Sequence, residues 1–202
     1  MSYEVELKFP IADASDMTLQ LLARGATQGR VLHQHDVYFC HPSRDFRQTH
    51  EALRLRRYDD EVFITYKGPV VDTQTKTRRE IEIAIGRRPE DFDRMREVLM
   101  LLGFEPVRPV EKTRALFHLA WEGRNLELAV DSIDELGNFL EIESIAEENE
   151  RDAAGDTILR LAERLGLKNA ERRSYLALML KYDARKSGET KHRSGEVGEH
   201  LR

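Results

Sequence analysis

Between Tyr3 and Phe9 the chain alternates charged with apolar side chains, as Glu4-Val5-Glu6-Leu7-Lys8, and the period of two of a β-strand sends both carboxylates and the ammonium to one face. Alone, such a segment also fits a solvated edge strand. The pattern recurs, however: Arg54 and Arg56 flank Leu55, Glu80 and Glu82 flank Ile81, Lys112 and Arg114 flank Thr113, and Glu141 and Glu143 flank Ile142. Strands that repeat like-charged pairs of both signs point to a lining around a guest that is itself charged with both signs. A metal ion with phosphate is the simplest such guest.

With 202 residues the chain can bury a substantial core, and that length suits one large all-β or α+β domain better than two small ones. The formal net charge of -5, with 34% charged residues, favours neither nucleic acid nor an anionic membrane as a partner. Any polyanion site must be local. A lone cysteine, Cys40, excludes an internal disulfide, and no CxxC or Cys/His cluster suggests structural zinc. His33 and His35 lie two apart on one strand, but no third ligand follows at useful spacing, so they are read as surface or helix-facing histidines. No apolar run is long enough to span a bilayer and no leader-like start is present, so a cytoplasmic protein is expected.

Eight strand-like runs follow from the alternation and its turn residues: Tyr3–Phe9, Val31–Cys40, Ala52–Tyr58, Glu61–Lys67, Arg78–Ile85, Val110–Trp121, Arg124–Ile133 and Phe139–Ile145. Asp59-Asp60 predicts a hairpin, a loop is expected to about His50, and the polar stretch Val70–Lys76 is expected to be a mobile connection. Helices are predicted from Asp13 to Gly25, from Pro89 to Gly103, over Arg151–Leu165 and over Tyr175–Leu180. Residues 1–182 are read as one domain, and 183–202, with no apolar stripe, as a disordered tail.

Strand phase collects Glu4, Glu6 and Lys8, then Arg54 and Arg56, Lys67, Glu80 and Glu82, Lys112 and Arg114, Asp131, and Glu141 and Glu143 on polar faces. The intervening Val5, Leu7, Leu53, Leu55, Ile64, Ile81, Ile83, Leu126, Leu128, Val130, Leu140 and Ile142 require burial under the helices. A sheet this long tends to curl or close. The expected fold is therefore α+β: a closed or nearly closed antiparallel eight-stranded β-barrel, a tunnel, with helices packed outside and the charges in the lumen. Clustered carboxylate oxygens suit Mg²⁺ or Mn²⁺, and Arg and Lys suit phosphate oxygens. Phosphoryl chemistry needs mainly positioning and charge neutralisation, so the absence of a nucleophile triad is consistent with it. For Glu80 and Glu82, a surface pair with Arg78 or Arg79 is the competing reading.

Glu4-Val5-Glu6-Leu7-Lys8 resembles the ExExK signature of the CYTH superfamily, the triphosphate tunnel metalloenzymes, which include class IV adenylate cyclases, thiamine triphosphatases and inorganic triphosphatases. Further segments resemble that family's motifs in order: Asp36-Val37-Tyr38-Phe39, Ala52-Leu53-Arg54-Leu55-Arg56, Tyr66-Lys67-Gly68-Pro69, Arg79-Glu80-Ile81-Glu82, Glu111-Lys112-Thr113-Arg114, Val130-Asp131 and Gly137-Asn138-Phe139-Leu140-Glu141-Ile142-Glu143. Pro42, Arg44-Asp45-Phe46 and Ser174-Tyr175-Leu176 look most like the class IV cyclase branch. The resemblance implies a metal-dependent enzyme on a small triphosphate, converting ATP to cyclic AMP and pyrophosphate or, alternatively, hydrolysing a triphosphate; a non-catalytic polyphosphate receptor is a third reading. It implies Glu4, Glu6, Glu141 and Glu143 as metal ligands. Lys8, Arg54, Arg56, Lys67, Lys112 and Arg114 would grip the triphosphate, Asp131, Lys8 and Lys112 would act in catalysis, and Asp36, Tyr38, Arg79, Glu80 and Glu82 would support the site. Cys40 departs from the pattern, standing where members often carry a second acid. A homodimer is compatible with the sequence, which does not decide the oligomeric state.

Overall fold

Alternating side chains organise the chain into eight strands, β1 (Ser2–Ile11), β2 (Thr27–Cys40), β3 (Ala52–Tyr58), β4 (Glu61–Lys67), β5 (Glu80–Gly86), β6 (Glu105–Trp121), β7 (Arg124–Ile133) and β8 (Gly137–Glu147). The computed structural model describes residues 2–70 and 78–196. All eight strands form one antiparallel sheet in the order β1-β8-β7-β6-β2-β3-β4-β5. Its two ends approach each other through an antiparallel bridge between Glu4 and Arg78, supported by the Lys67 ammonium 3.7 Å from the Glu4 carboxylate. The sheet is therefore a nearly closed tunnel, as expected from the sequence.

Two helical layers cover its outer face, and the start of a further helix packs on inward-facing residues at the lumen. Helices α1 (Ala14–Ala23) and α4 (Arg151–Arg164) lie over β1, β6, β7 and β8, where Met17, Leu21, Ile158 and Leu161 meet Val5, Leu7, Leu128, Leu140 and Ile142. Helix α3 (Pro89–Leu101) sets Phe92 and Leu99 on Val37, Leu53, Leu55 and Val62. The start of α5 (Tyr175–Glu196) contributes Tyr175, Leu178 and Met179 to a third cluster with Tyr38, Val110, Ile133 and Phe139. Local chemistry sets the ends: the Asp13 side chain accepts from the Asp16 amide at 2.7 Å to cap α1, and Pro89 sits in the first turn of α3. Glu122 and Gly123 both adopt positive φ, 47° and 78°, the twist that joins β6 to β7 in a tight hairpin.

Several boundaries differ from the expectation. Strand β6 starts at Glu105, ahead of the proline-limited start at Val110, because Pro106 and Pro109 pair with β2 where the register shifts between Val37 and Phe39; a bulge accommodates residues that cannot donate to the ladder. Within the expected loop, Phe46–Thr49 forms a single helical turn, α2, capped by Asp45. Ile81 and Ile83, assigned to the core, are 39% and 56% exposed, because β5 ends the sheet and α3 lays its buried side chains on β2, β3 and β4. Residues from Asp183, expected to be disordered, continue α5 to Glu196. Arg108 anchors the start of that extension through Asp183, at 3.1 Å from Nη2 and 2.6 Å from Nε. Residues 197–202 lie outside the described residues, as do 71–77, on which most of the expected Val70–Lys76 connection falls.

Leu140 is fully buried between the sheet and the helices over it. Leu140→Ala should lower stability by about 2–5 kcal/mol, whereas Leu101→Ala, at a position 81% exposed, should change it by less than about 0.5 kcal/mol. Urea denaturation of the two variants against the parent chain checks this, and equal effects would contradict the assigned core.

Candidate active site

The inward positions of adjacent strands meet as cross-strand partners: Glu6 opposite Glu143, Lys8 opposite Glu141, Arg114 opposite Asp131, Arg56 opposite Asp36 and Lys67 opposite Glu80. They surround a cavity of about 730 Å³ whose wall includes Glu4, Glu6, Lys8, Arg54, Arg56, Lys67, Lys112, Arg114, Glu141 and Glu143. Nearly all of these charged groups are buried. In such surroundings an ion without a partner costs several kcal/mol, so each must be compensated.

Two aspartates supply much of that compensation for the basic groups. Asp131, fully buried, accepts from Lys112 Nζ at 2.8 Å, from Arg114 Nε and Nη2 at 2.7 and 2.6 Å, and from the Tyr175 hydroxyl at 2.8 Å. Asp36 receives a two-pronged bond from Arg56, both contacts 2.7 Å, with Arg54 a further 3.7 Å away. Burial alone would raise both carboxyls, but Arg114 and Lys112 hold Asp131 below its ordinary range, and Arg56 and Arg54 hold Asp36 far below it. Neither aspartate belongs to the cavity wall. They stand behind the basic groups and aim them at the lumen.

The glutamates divide into two sets. Glu4, Glu6 and Glu143 each bring one carboxylate oxygen within 4.8 Å of the other two. Burial, opposed by Lys67 and reinforced by Glu80 and Glu6, pushes Glu4 up to about 7, and burial followed by the charge of Glu4 pushes Glu143 well above the carboxylate range. Three mutually repelling hard-oxygen donors at that spacing, Glu6 buried and Glu4 and Glu143 half-buried, fit a divalent ion such as Mg²⁺ or Mn²⁺. Glu141, expected as a metal ligand, is not part of this trio: it hydrogen-bonds Arg114 and lies 3.9 Å from Lys8. The cause is register, since Glu141 sits opposite Lys8 where Glu143 sits opposite Glu6.

Glu80 and Glu82 point inward, Glu80 to Lys67 and Arg54 and Glu82 to Arg54 and Thr65. Burial opposes ionisation of Glu80, but Lys67 and Arg54 hold its carboxyl low. Arg79 is exposed and turned away from the cavity, whereas Arg78 lines it, with its Nε buried and lacking a hydrogen-bond partner. Period two explains this correction: 78, 80 and 82 share a face and 79 does not. Tyr38 is buried at the lumen wall beside Arg54. Lys112 is lowered to about 8, first by burial and then by Arg114. Sequence reasoning left Thr65 and Arg78 out of the site, although strand phase marked both; Tyr175 and the preceding Arg173 had no such signal, because they come from a loop and a helix start.

A curled antiparallel sheet thus gathers acidic and basic side chains around one tunnel-type cavity. The chain belongs to the CYTH domain family, whose profile matches residues 2–175. A Methanocaldococcus jannaschii protein provisionally named an adenylate cyclase is 39% identical over 178 residues, covering 87% of this chain and 97% of its own. The PH1819 protein of Pyrococcus horikoshii, a solved structure, is 39% identical with a TM-score of 0.77, covering 88% of this chain and 98% of that one. A protein from Hippeastrum, described as a candidate adenylyl cyclase with a dominant triphosphatase activity, shares the fold at 20% identity and a TM-score of 0.61, covering 90% and 96% of the two chains. Among the described residues no helix is long and apolar enough to cross a membrane.

Glu4 and Glu143 hold protons more tightly in the folded chain than the ordinary value of 4.5. The folded state thus binds more protons than the unfolded one between about 4.5 and 7, and stability falls as pH rises through that window. Thermal melts of metal-free protein should therefore show a falling midpoint from pH 5 to 8, and added Mn²⁺ should raise the midpoint most at the upper end. A midpoint that climbs across the window, or a Mn²⁺ effect independent of pH, would contradict the assigned carboxylate cluster.

Proposed function

We propose that the protein is a divalent-metal-dependent enzyme on a small triphosphate, converting ATP to cyclic AMP and pyrophosphate. The observation that carries this reading is one cavity holding a three-carboxylate cluster together with basic side chains from several walls, Lys8, Arg54, Arg56, Lys67, Lys112 and Arg114 among them. A receptor for anions alone gains nothing from buried carboxylates. The cyclase assignment draws on the relative from Methanocaldococcus jannaschii, whose name points to that activity.

In this reading Arg54, Arg56, Lys67, Lys112 and Arg114, with Lys8, bind the phosphate oxygens, the guanidinium groups in two-pronged fashion and the ammonium groups as point charges. Glu4, Glu6 and Glu143 would hold Mg²⁺ or Mn²⁺, which when bound neutralises charge on the phosphates and polarises them. The ribose 3′-hydroxyl gives up its proton to solvent water as its oxygen bonds to the α-phosphorus, and the bond from that phosphorus to the bridging oxygen breaks, with pyrophosphate taking the electron pair. The buried arginines lower the barrier by facing the charge that spreads over the phosphate oxygens in the transition state. Asp131 orients Lys112 and Arg114, in place of the catalytic role expected from the resemblance. Glu141 restrains Arg114 and Lys8.

Incubation with ATP, thiamine triphosphate and tripolyphosphate, each with Mg²⁺ or Mn²⁺, tests the proposal: cyclic AMP with pyrophosphate is expected from ATP. Released phosphate would replace cyclisation by hydrolysis, and no product from any of the three would leave a binding module. Glu6→Gln should abolish metal-dependent turnover with the circular dichroism spectrum unchanged, and full activity would remove Glu6 from the site. Arg54→Ala should raise the half-saturating substrate concentration about tenfold or more, and an unaltered titration would reject its phosphate role.

A further inference from the structure

The Ser174-Tyr175-Leu176 motif has no part in the reaction above, yet its tyrosine reaches the heart of the cavity. The Tyr175 ring is buried and lies against two ammonium groups from strands that are not sheet neighbours. Lys8 Nζ of β1 is 3.8 Å from the ring centroid and Lys112 Nζ of β6 is 4.7 Å from it. The phenol hydroxyl donates to Asp131 at 2.8 Å, and Phe139 meets the ring edge-on at 5.3 Å between centroids. The segment before it is tied to the same strand: the Glu171 amide donates to the Lys8 carbonyl at 2.6 Å, and Lys8 Nζ donates to the Arg173 carbonyl at 2.7 Å.

We propose that Tyr175 is a positioning residue that holds Lys8 and Lys112 in place, still charged, as a paired grip for the triphosphate. This rests on the triphosphate reading above. A buried ammonium can be held by a carboxylate, which cancels its charge, or by an aromatic face, which attracts the cation without supplying a counter-anion. Asp131 is already shared among Lys112, both prongs of Arg114 and the Tyr175 hydroxyl, and Glu141, 3.9 Å from Lys8, is likewise shared with Arg114, so three cations face two carboxylates. The ring therefore fixes two flexible four-carbon stems while leaving net positive charge for the ligand to meet. Stems ordered in advance need not lose that freedom on binding. The hydroxyl adds a second restraint by linking the ring to the carboxylate that orients Lys112.

Isothermal titration of tripolyphosphate into the full-length chain, with melting midpoints measured in parallel, tests this. Tyr175→Leu removes ring and hydroxyl and should weaken binding about tenfold or more, while Tyr175→Phe keeps the ring and should weaken it only about two- to fivefold. Leu178→Ala, in the same helix and apolar cluster, removes packing without touching either ammonium; it should lower the melting midpoint yet leave binding within about twofold of the parent. Parent-like binding by Tyr175→Leu, or an equal loss in Leu178→Ala, overturns the positioning role while the triphosphate reading stands. Should Tyr175→Leu not fold, parent-like binding by Tyr175→Phe together with weakened binding by Leu178→Ala overturns it. A parent protein that binds no triphosphate overturns both readings.

Discussion

Everything in this tunnel depends on compensating ionic groups that have been taken out of water. Asp131 and Asp36 do this from behind the wall, each gathering at least two basic side chains. Removing either would strand buried cations and cost several kcal/mol. Because their carboxylates lie behind the arginines and lysines, they orient the basic groups without occupying the lumen. Glu4, Glu6 and Glu143 are the reverse case, carboxylates at the lumen surface, where burial and then neighbouring carboxylates let Glu4 and Glu143 hold their protons to higher pH than ordinary carboxyls. The folded chain thus carries strongly ionised pairs in its frame and a mutually repelling carboxylate cluster at its cavity wall.

The seam between β1 and β5 shows how closure creates chemistry. Glu4 reaches Arg78 through the backbone bridge and Lys67 through its side chain, so a group at one end of the sheet meets groups from the other. Without the curl, β1 and β4 would lie at distant positions in the strand order, and the carboxylate cluster would face bulk water. The helices enforce this geometry indirectly. Val5, Leu7, Leu140 and Ile142 are held outward under α1 and α4, which obliges the alternate residues Glu4, Glu6, Glu141 and Glu143 to face in.

Much of this was legible from period-two alternation, because one buried face specifies the other. The assignments of Glu4, Glu6, Arg54, Arg56, Lys112 and Arg114 to a shared lumen needed no more than strand phase and a tendency to curl. A motif match alone points to Arg79, whereas strand phase puts Arg78 in step with Glu80 and on the cavity wall. Ile81 and Ile83 followed the pattern but stayed exposed, since alternation does not say whether a helix will cover a given strand. The division of labour between Glu141 and Glu143 turned on register with β1, a long-range pairing with no local signal.

By itself, the sequence determined which residues alternate and hence which share a face, where most of the helices begin, and that the charged face carries both signs. These are local properties, set by side-chain periodicity, capping and turn chemistry within a few residues. Only the tertiary structure decided which charges meet. It paired Asp131 with Lys112, Arg114 and Tyr175, brought Glu143 rather than Glu141 to Glu4 and Glu6, and carried the start of α5 to Lys8. Such contacts depend on sheet order, register and curvature, which arise from packing among elements distant in the chain.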